Sequence, residues 1–193
     1  MKFLKIILSI VAGLALVVFG GAFLLPEHTH VEEIKVLNIP INTAFYQINN
    51  LNNWNNWSPW HKMTNEKDTK YIYGTTIQGK GANYSWKSKN KMIGNGSLKI
   101  TESITNELVK TSMAFEGNGD ATSDFILKPS GDRTEITWTF DSDATGAINK
   151  WMSLMMKSQL KKTFKQGFEY LEAYATEHPE VPEIDVFVDT IPQ

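Results

Sequence analysis

AINKWMSLMMKSQLKKTFKQGFEYLEAYATE, Ala147–Glu177, is the stretch that decides the fold of this 193-residue chain. Met152, Met155, Met156, Leu160, Phe164, Phe168, Leu171 and Tyr174 recur at three- and four-residue spacings, the signature of one face of an α-helix. Pro179 stops the helix just past its end. A helix this long must lie along something large and apolar. Gly167 sits inside the stripe at a cost of about 1 kcal/mol against Ala. That cost is offset either by close packing on the partner surface or by room left for a ligand.

The partner surface is found upstream. From Lys70 the hydrophobic period becomes two: Tyr71 and Tyr73; Tyr84, Trp86 and Ser88; Leu98, Ile100 and Ile104; Val109, Met113 and Phe115; Phe125 and Leu127; Ile136, Trp138 and Phe140. Turn signals divide these runs at Gly79-Lys80-Gly81, Gly94-Asn95-Gly96, Thr105-Asn106, Gly117-Asn118-Gly119 and Pro129-Ser130-Gly131-Asp132. Such short links make antiparallel neighbours. Before them, Val31–Ile39 reads as a strand with Ile34 and Val36 on its buried side, ended by Pro40. Asn42 or Thr43 then caps a short helix that buries Phe45 and Ile48. The segment from Asn52 to His61 packs three tryptophans among turn-forming residues, as a loop or broken helix. The order predicts an α+β helix-grip fold: a curved antiparallel sheet of about seven strands wrapped round the C-terminal helix, with a cavity between them.

The other end of the chain is of a different kind. Lys2 and Lys5 precede Ile6 to Leu25, an uncharged run that as a helix spans about 30 Å, the hydrocarbon thickness of a bilayer. Gly20-Gly21-Ala22 makes a poor cleavage site, and apolar residues continue past it, so the segment reads as an uncleaved transmembrane anchor, with a cleaved secretory signal as the alternative. Lysines before the run and Glu27, Glu32 and Glu33 after it orient the N-terminus to the cytoplasm and the body to the periplasm or exterior. The expected divisions are 1–30 for anchor and juxtamembrane segment, 31–178 for the folded domain, and 179–193 for a Pro-punctuated tail in which Ile184, Val186 and Val188 are candidates for an edge strand. A net charge of -2 without a basic stripe argues against nucleic acid. The absence of Cys excludes disulfides, thiolate metal sites and cysteine nucleophiles.

Several motifs resemble one family. Trp54-x-x-Trp57-Ser58-Pro59-Trp60, Gly81-Ala82-x-Tyr84-x-Trp86, Gly94-x-Gly96, Thr134-Glu135-Ile136-Thr137-Trp138 and Phe164-x-x-Gly167-Phe168-x-x-Leu171 are similar to the membrane-anchored bacterial branch of the SRPBCC superfamily, the START and polyketide cyclase/dehydrase-like group. The resemblance covers about Glu32 to Glu177. It implies the helix-grip fold and an internal hydrophobic pocket, with activities among similar members that range from lipid carriage through aromatase/cyclase chemistry to none established.

The residues expected to line such a pocket are Trp57, Trp60, Tyr84, Trp86, Met113, Phe115, Trp138, Met156, Phe164 and Gly167. Aromatic rings supply contact area with few rotors, and Met supplies a deformable wall. The competing expectation is that the tryptophans plug the sheet as ordinary core. Glu102 falls on the side of Ile100 and Ile104 if alternation holds, as a candidate general acid, whereas a bulge would turn it to solvent. His61 is the other acid–base candidate, although its position reads as a surface or loop-anchoring one and nothing is spaced to form a triad with it. His28-x-His30 with Glu27 or Glu32 lacks a further metal ligand, and no cofactor motif appears. The leading reading is a membrane-tethered binding protein for a hydrophobic small molecule or lipid. A cyclase/dehydratase-like enzyme and a ligand-free interaction domain are the alternatives.

Overall fold

The computed structural model describes residues 2–64, 67–91, 93–117 and 119–179. Helix α1 (Lys2–Ala22) leads into β1 (His28–Leu37), then α2 (Ile41–Asn49), a 3-10 turn at Leu51–Asn53, and two short helices, α3 (Trp54–Trp57) and α4 (Pro59–Met63). Six strands follow: β2 (Thr69–Tyr73), β3 (Asn83–Ser88), β4 (Gly96–Ile104), β5 (Leu108–Phe115), β6 (Gly119–Ser130) and β7 (Arg133–Asp143). The last described element is α5 (Ala147–Glu177). The tail with Ile184, Val186 and Val188 lies outside the described residues.

The seven strands form one sheet in the order β1-β7-β6-β5-β4-β3-β2, with antiparallel pairs throughout. The helix-grip expectation is met in its elements: β2 to β7 make a meander, β1 closes its far side against β7, and α5 lies across the inner face. Where the sequence predicts a cavity between sheet and helix, buried core side chains fill the interface. Val31, Leu37, Ile100, Val109, Phe125, Leu127, Ile136 and Trp138 supply the sheet side of the core. Leu160, Phe164, Phe168 and Leu171 supply the helix side, and Ile48, Leu51, Trp54 and Trp57 fill the space under the α2–α4 connection.

Two sequence expectations are corrected. In β1 the inward side belongs to Thr29, Val31 and Leu37, while Ile34 stands 52% exposed. The pairing with β7 imposes this: Val31 opposes Phe140 and Lys35 opposes Ile136, so the partners of inward-facing residues face inward too. In α5 the stripe holds from Leu160 onward, but Met152, Met155 and Met156 are exposed, because the first turns of the helix do not lie on the sheet.

The Gly94-x-Gly96 pair has a separate reason at each position. Gly94 takes φ +64° in the β3–β4 turn, a left-handed conformation that favours glycine. Gly96 faces Trp86 across the β3–β4 pair, and a Cβ on it would come within 2.6 Å of the Ala114 carbonyl oxygen and of the Trp86 ring. Backbone on one side and a buried indole on the other leave no room to yield. Gly96→Ala is expected to lower unfolding stability by about 1–3 kcal/mol, read as a fall in the urea midpoint.

Candidate functional site

The interior between sheet and helix is built around Trp138. Its ring stacks parallel on Phe164 (centroids 4.3 Å apart, 6° between planes) and meets Phe125 at 4.6 Å, Phe168 at 5.7 Å, Trp60 at 5.6 Å and Trp57 at 6.0 Å. Trp138 Nε1 donates to Ser123 Oγ (2.9 Å), which donates in turn to the Thr139 carbonyl (2.7 Å), so the indole is buried without an unsatisfied donor. Gly167 answers to this ring: a Cβ there would stand 2.6 Å from Trp138 Cζ3 and 3.1 Å from Pro59 Cδ. Close packing therefore offsets the glycine in mid-helix.

The tryptophan segment is ordered by its own N–H groups. Trp54 Nε1 donates to the Ile48 carbonyl (2.9 Å) and Trp57 Nε1 to the Gln47 carbonyl (3.1 Å), which ties α3 to α2. Pro59 opens α4 at a position where its missing N–H costs nothing. Trp54 and Trp57 are buried in the core, whereas Trp60 is half-buried and touches Trp138 and Phe164.

A second aromatic group continues toward the β2 edge. Tyr84 adjoins Trp86 (6.1 Å), which adjoins Phe115 (5.6 Å), with Met113 and Phe115 half-buried at the border. His61 belongs here: it stacks on Tyr71 (4.1 Å) and meets Tyr84 edge-on (5.5 Å). It is 8% exposed, and neither ring nitrogen has a hydrogen-bond partner among the described residues. Gln47 Oε1 and Ser58 Oγ are likewise buried and without a hydrogen-bond partner among the described residues. Burial alone brings the His61 pKa down to about 4, and it raises Tyr84 far above the ordinary phenol value. His61 is thus a core residue rather than a surface one.

Glu102 does not reach this interior. A bulge between Ile100 and Glu102 makes Thr101 the extra residue, so Ser103 takes the inward place and bonds Asn49 (2.8 Å). Glu102 turns outward, half-exposed, and pairs with Lys110 at 3.2 Å. Met156 also lies outside the interior, on the exposed part of α5. His28 and His30 are on the outer face of β1, where their partners are Asp143 (2.9 Å) and Asp141 (3.0 and 2.7 Å) of β7. These carboxylates raise the His28 pKa, Asp143 most and then Asp141. Among the described residues no group of ligating side chains has an arrangement suited to a metal ion. One open groove, of about 530 Å³, lies on this outer face beside His28, Lys99, Thr122 and Asp141. Another, of about 380 Å³, lies beside Tyr46, Gln47 and Tyr174 near the end of α5.

The family model described as polyketide cyclase / dehydrase and lipid transport matches residues 28–176. No curated protein matches the chain. Solved structures similar in fold include a protein of unknown function from Staphylococcus aureus (TM-score 0.60, 12% identity, 79% of this chain and 96% of that one). A structural-genomics protein from Chromobacterium violaceum is similar at TM-score 0.54 and 10% identity, over 76% of this chain and 96% of that one. DynU16, described as a putative protein in the dynemicin biosynthetic locus, is similar at TM-score 0.54 and 10% identity, over 78% of this chain and 48% of that one.

The state of His61 gives a pH signature. Between pH 6.5 and about 4 the unfolded chain binds a proton that folded His61 refuses, so stability present above this window is lost as pH falls through it, by about 3 kcal/mol in total. His61→Phe keeps a ring against Tyr71 and removes the titration. The urea midpoint of the variant should gain on that of the natural chain as pH drops from 7 to 4; parallel profiles would show that His61 is not held neutral.

Proposed function

The chain belongs to the polyketide cyclase / dehydrase and lipid transport family, and from that premise we propose that it is a membrane-tethered binding protein for a hydrophobic small molecule or lipid held between the sheet and α5. The observation that carries this reading is the composition of the interior. Trp57, Trp60, Tyr84, Trp86, Trp138 and Phe164 give the grip an aromatic wall, and the unpartnered nitrogens of His61 supply a buried polar point within it. Ligand sites of this class are mostly apolar with a few placed polar groups that fix orientation. The half-buried Trp60, Met113 and Phe115 are the positions where a ligand meets the interior from outside. Burial of apolar area drives such binding at roughly 25 cal/mol per Å² before ordering costs. A ligand hydroxyl or carbonyl beside His61 offsets the expense of an unpaired buried nitrogen, about 1–3 kcal/mol.

The tether is α1, 21 residues long with a mean hydropathy of 2.5 over its most apolar window. Lys2 and Lys5 at its start favour a cytoplasmic N-terminus, which puts the domain on the periplasmic or outer side. A cyclase or dehydratase would require a second acid–base group beside His61, and Glu102 faces away, paired with Lys110. The reading as a ligand-free interaction domain draws on a different observation, the filling of the space around Trp138 by Phe164, Phe168 and Phe125.

The two are separated by extracting the full chain from its native membranes in polymer-bounded lipid discs and identifying the apolar species bound to it by mass spectrometry. One or a few species should be enriched over discs carrying an unrelated single-pass protein, and Trp60→Ala with Phe115→Ala should lower that enrichment several-fold with the fold retained. No enrichment over the control discs would leave the interaction domain as the function.

A further inference from the structure

Helix α5 carries two apolar faces, and only one of them is used by the fold. From Leu160 onward, Leu160, Phe164, Gly167, Phe168 and Leu171 face the sheet. Before it, Ile148, Trp151, Met152 and Met155 recur at i, i+3, i+4 and i+7, a complete amphipathic face in its own right. At about 100° per residue this second face is turned well over a right angle from the first. Its side chains are exposed: Met155 79%, Ile148 65%, Met152 61%. A contiguous apolar surface aimed away from its own core marks a contact with another apolar phase.

The neighbour of that surface identifies the phase. Trp151 Nε1 donates to the Val18 carbonyl of α1 (3.0 Å), and the Trp151 ring lies 3.0 Å from where a Cβ on Gly21 would stand. Around this contact α1 is exposed and uncharged on all sides, from Ile6 to Phe19. The exposed face of α5 therefore continues the exposed face of the helix that reads as the anchor. The depth follows as well: Val18 is four residues before the helix ends at Ala22, about 6 Å along its axis, and Phe23 and Leu24 extend the apolar run above it. With the run from Ile6 to Leu25 placed across a bilayer, Val18 lies seven residues, about 10 Å, inside the outer end of the apolar run, so Trp151 sits at the depth reached by the apolar face of an interfacial helix. The charges agree. Lys150 is held by Glu27 (3.0 Å) at the link between α1 and β1, and Lys165 by Glu33 (3.6 Å). Lys157, Lys161 and Lys162, next along α5, are exposed and have no carboxylate partner among the described residues.

We propose that the first turns of α5, Ala147–Met156, are a lipid-facing element that lies in the bilayer boundary beside α1, with Lys157, Lys161 and Lys162 at the level of the lipid phosphates. The partner is the membrane leaflet on the domain's side. The element behaves as an interfacial amphipathic helix fused to the core helix of the domain. It holds the domain down on the bilayer, with the N-terminal end of α5 against lipid, instead of leaving it on a stalk. This rests on the reading of α1 as the tether.

The absence of Cys from the chain makes single nitroxide labels specific. The full chain, reconstituted into vesicles of phosphatidylcholine with a minority of phosphatidylglycerol, is labelled through Met152→Cys or Met155→Cys, through Val11→Cys in the middle of α1, and through Asn106→Cys in the β4–β5 turn. Collisions with oxygen and with a water-soluble nickel chelate are then compared. Labels at 152 and 155 should show an oxygen-to-nickel ratio several-fold above that at 106 and on the side of that at 11. Water-like ratios at 152 and 155 with a bilayer ratio at 11 would overturn the proposal and leave the tether intact. Shielding of 152 and 155 from both reagents would overturn it in favour of a protein partner or a second copy. A water-like ratio at 11 would remove the tether, and this proposal with it.

Discussion

The parallel stack of Trp138 on Phe164 is the contact on which the rest of the structure depends. It joins the strand next to the sheet's closing edge to the middle of the one helix that the sheet grips. The ring meets Phe125 on the neighbouring strand, Phe168 one turn further along α5, and Trp57 and Trp60 from the connection between β1 and β2. An indole that size withdraws on the order of 200 Å² from water, worth about 5 kcal/mol as an upper figure. Its single polar atom is satisfied through Ser123. Four separate segments thus share one buried surface, and Gly167 is the residue that lets the helix backbone come close enough to share it.

That dependence explains which parts of the fold were legible beforehand. Alternation in β3 to β7 is legible because each strand has one wet face and one face on a common core, and because the turns carry residues such as Gly94 and Asn106 that accept positive φ. The side of β1 was not legible. Ile34 and Val36 are more apolar than Glu33 and Lys35, yet the register with β7 sends the charged pair toward α5, where Glu33 meets Lys165. Pairing partners distant in sequence overrule local pattern in such a strand.

The candidate site was legible in its aromatic composition and opaque in its polar groups. Tyr84, Trp86, Trp138 and Phe164 converge as their spacing implied, since each lies on an inward position of its element, and Trp57 joins them from the α3–α4 segment. Glu102 is lost to the interior through one inserted residue, Thr101, and strand alternation contains no signal of an insertion that conserves the flanking pattern. His61 was opaque for the opposite reason. A histidine in an Asn-, Ser- and Lys-rich segment reads as exposed, but the short helices α3 and α4 fold that segment across the mouth of the sheet and bring the imidazole against Tyr71. Its titration and that of His28 have opposite signs: burial keeps His61 neutral, whereas the Asp143 and Asp141 carboxylates favour the charged form of His28 on the outer face. Acidification therefore loosens the interior while it strengthens the β1–β7 edge.

The helix that decides the fold also joins the folded domain to α1. A single stripe from Met152 to Tyr174 is the simplest reading of α5 in the sequence, and it fails before Leu160, where Met152, Met155 and Met156 are exposed because the sheet reaches only that far. Beyond the sheet's end a core face has nothing to cover it, and a sequence meant for water would turn polar there. This one turns its apolar side chains to a new azimuth instead and meets α1 through Trp151. A change of azimuth costs the helix nothing in backbone geometry, since every residue keeps the same dihedrals, so one unbroken rod serves two apolar surfaces. Rigidity then does what a flexible linker could not: whatever fixes the first turns of α5 fixes the orientation of Phe164, because no joint lies between them, and Phe164 bears on Trp138 of β7 through their stack.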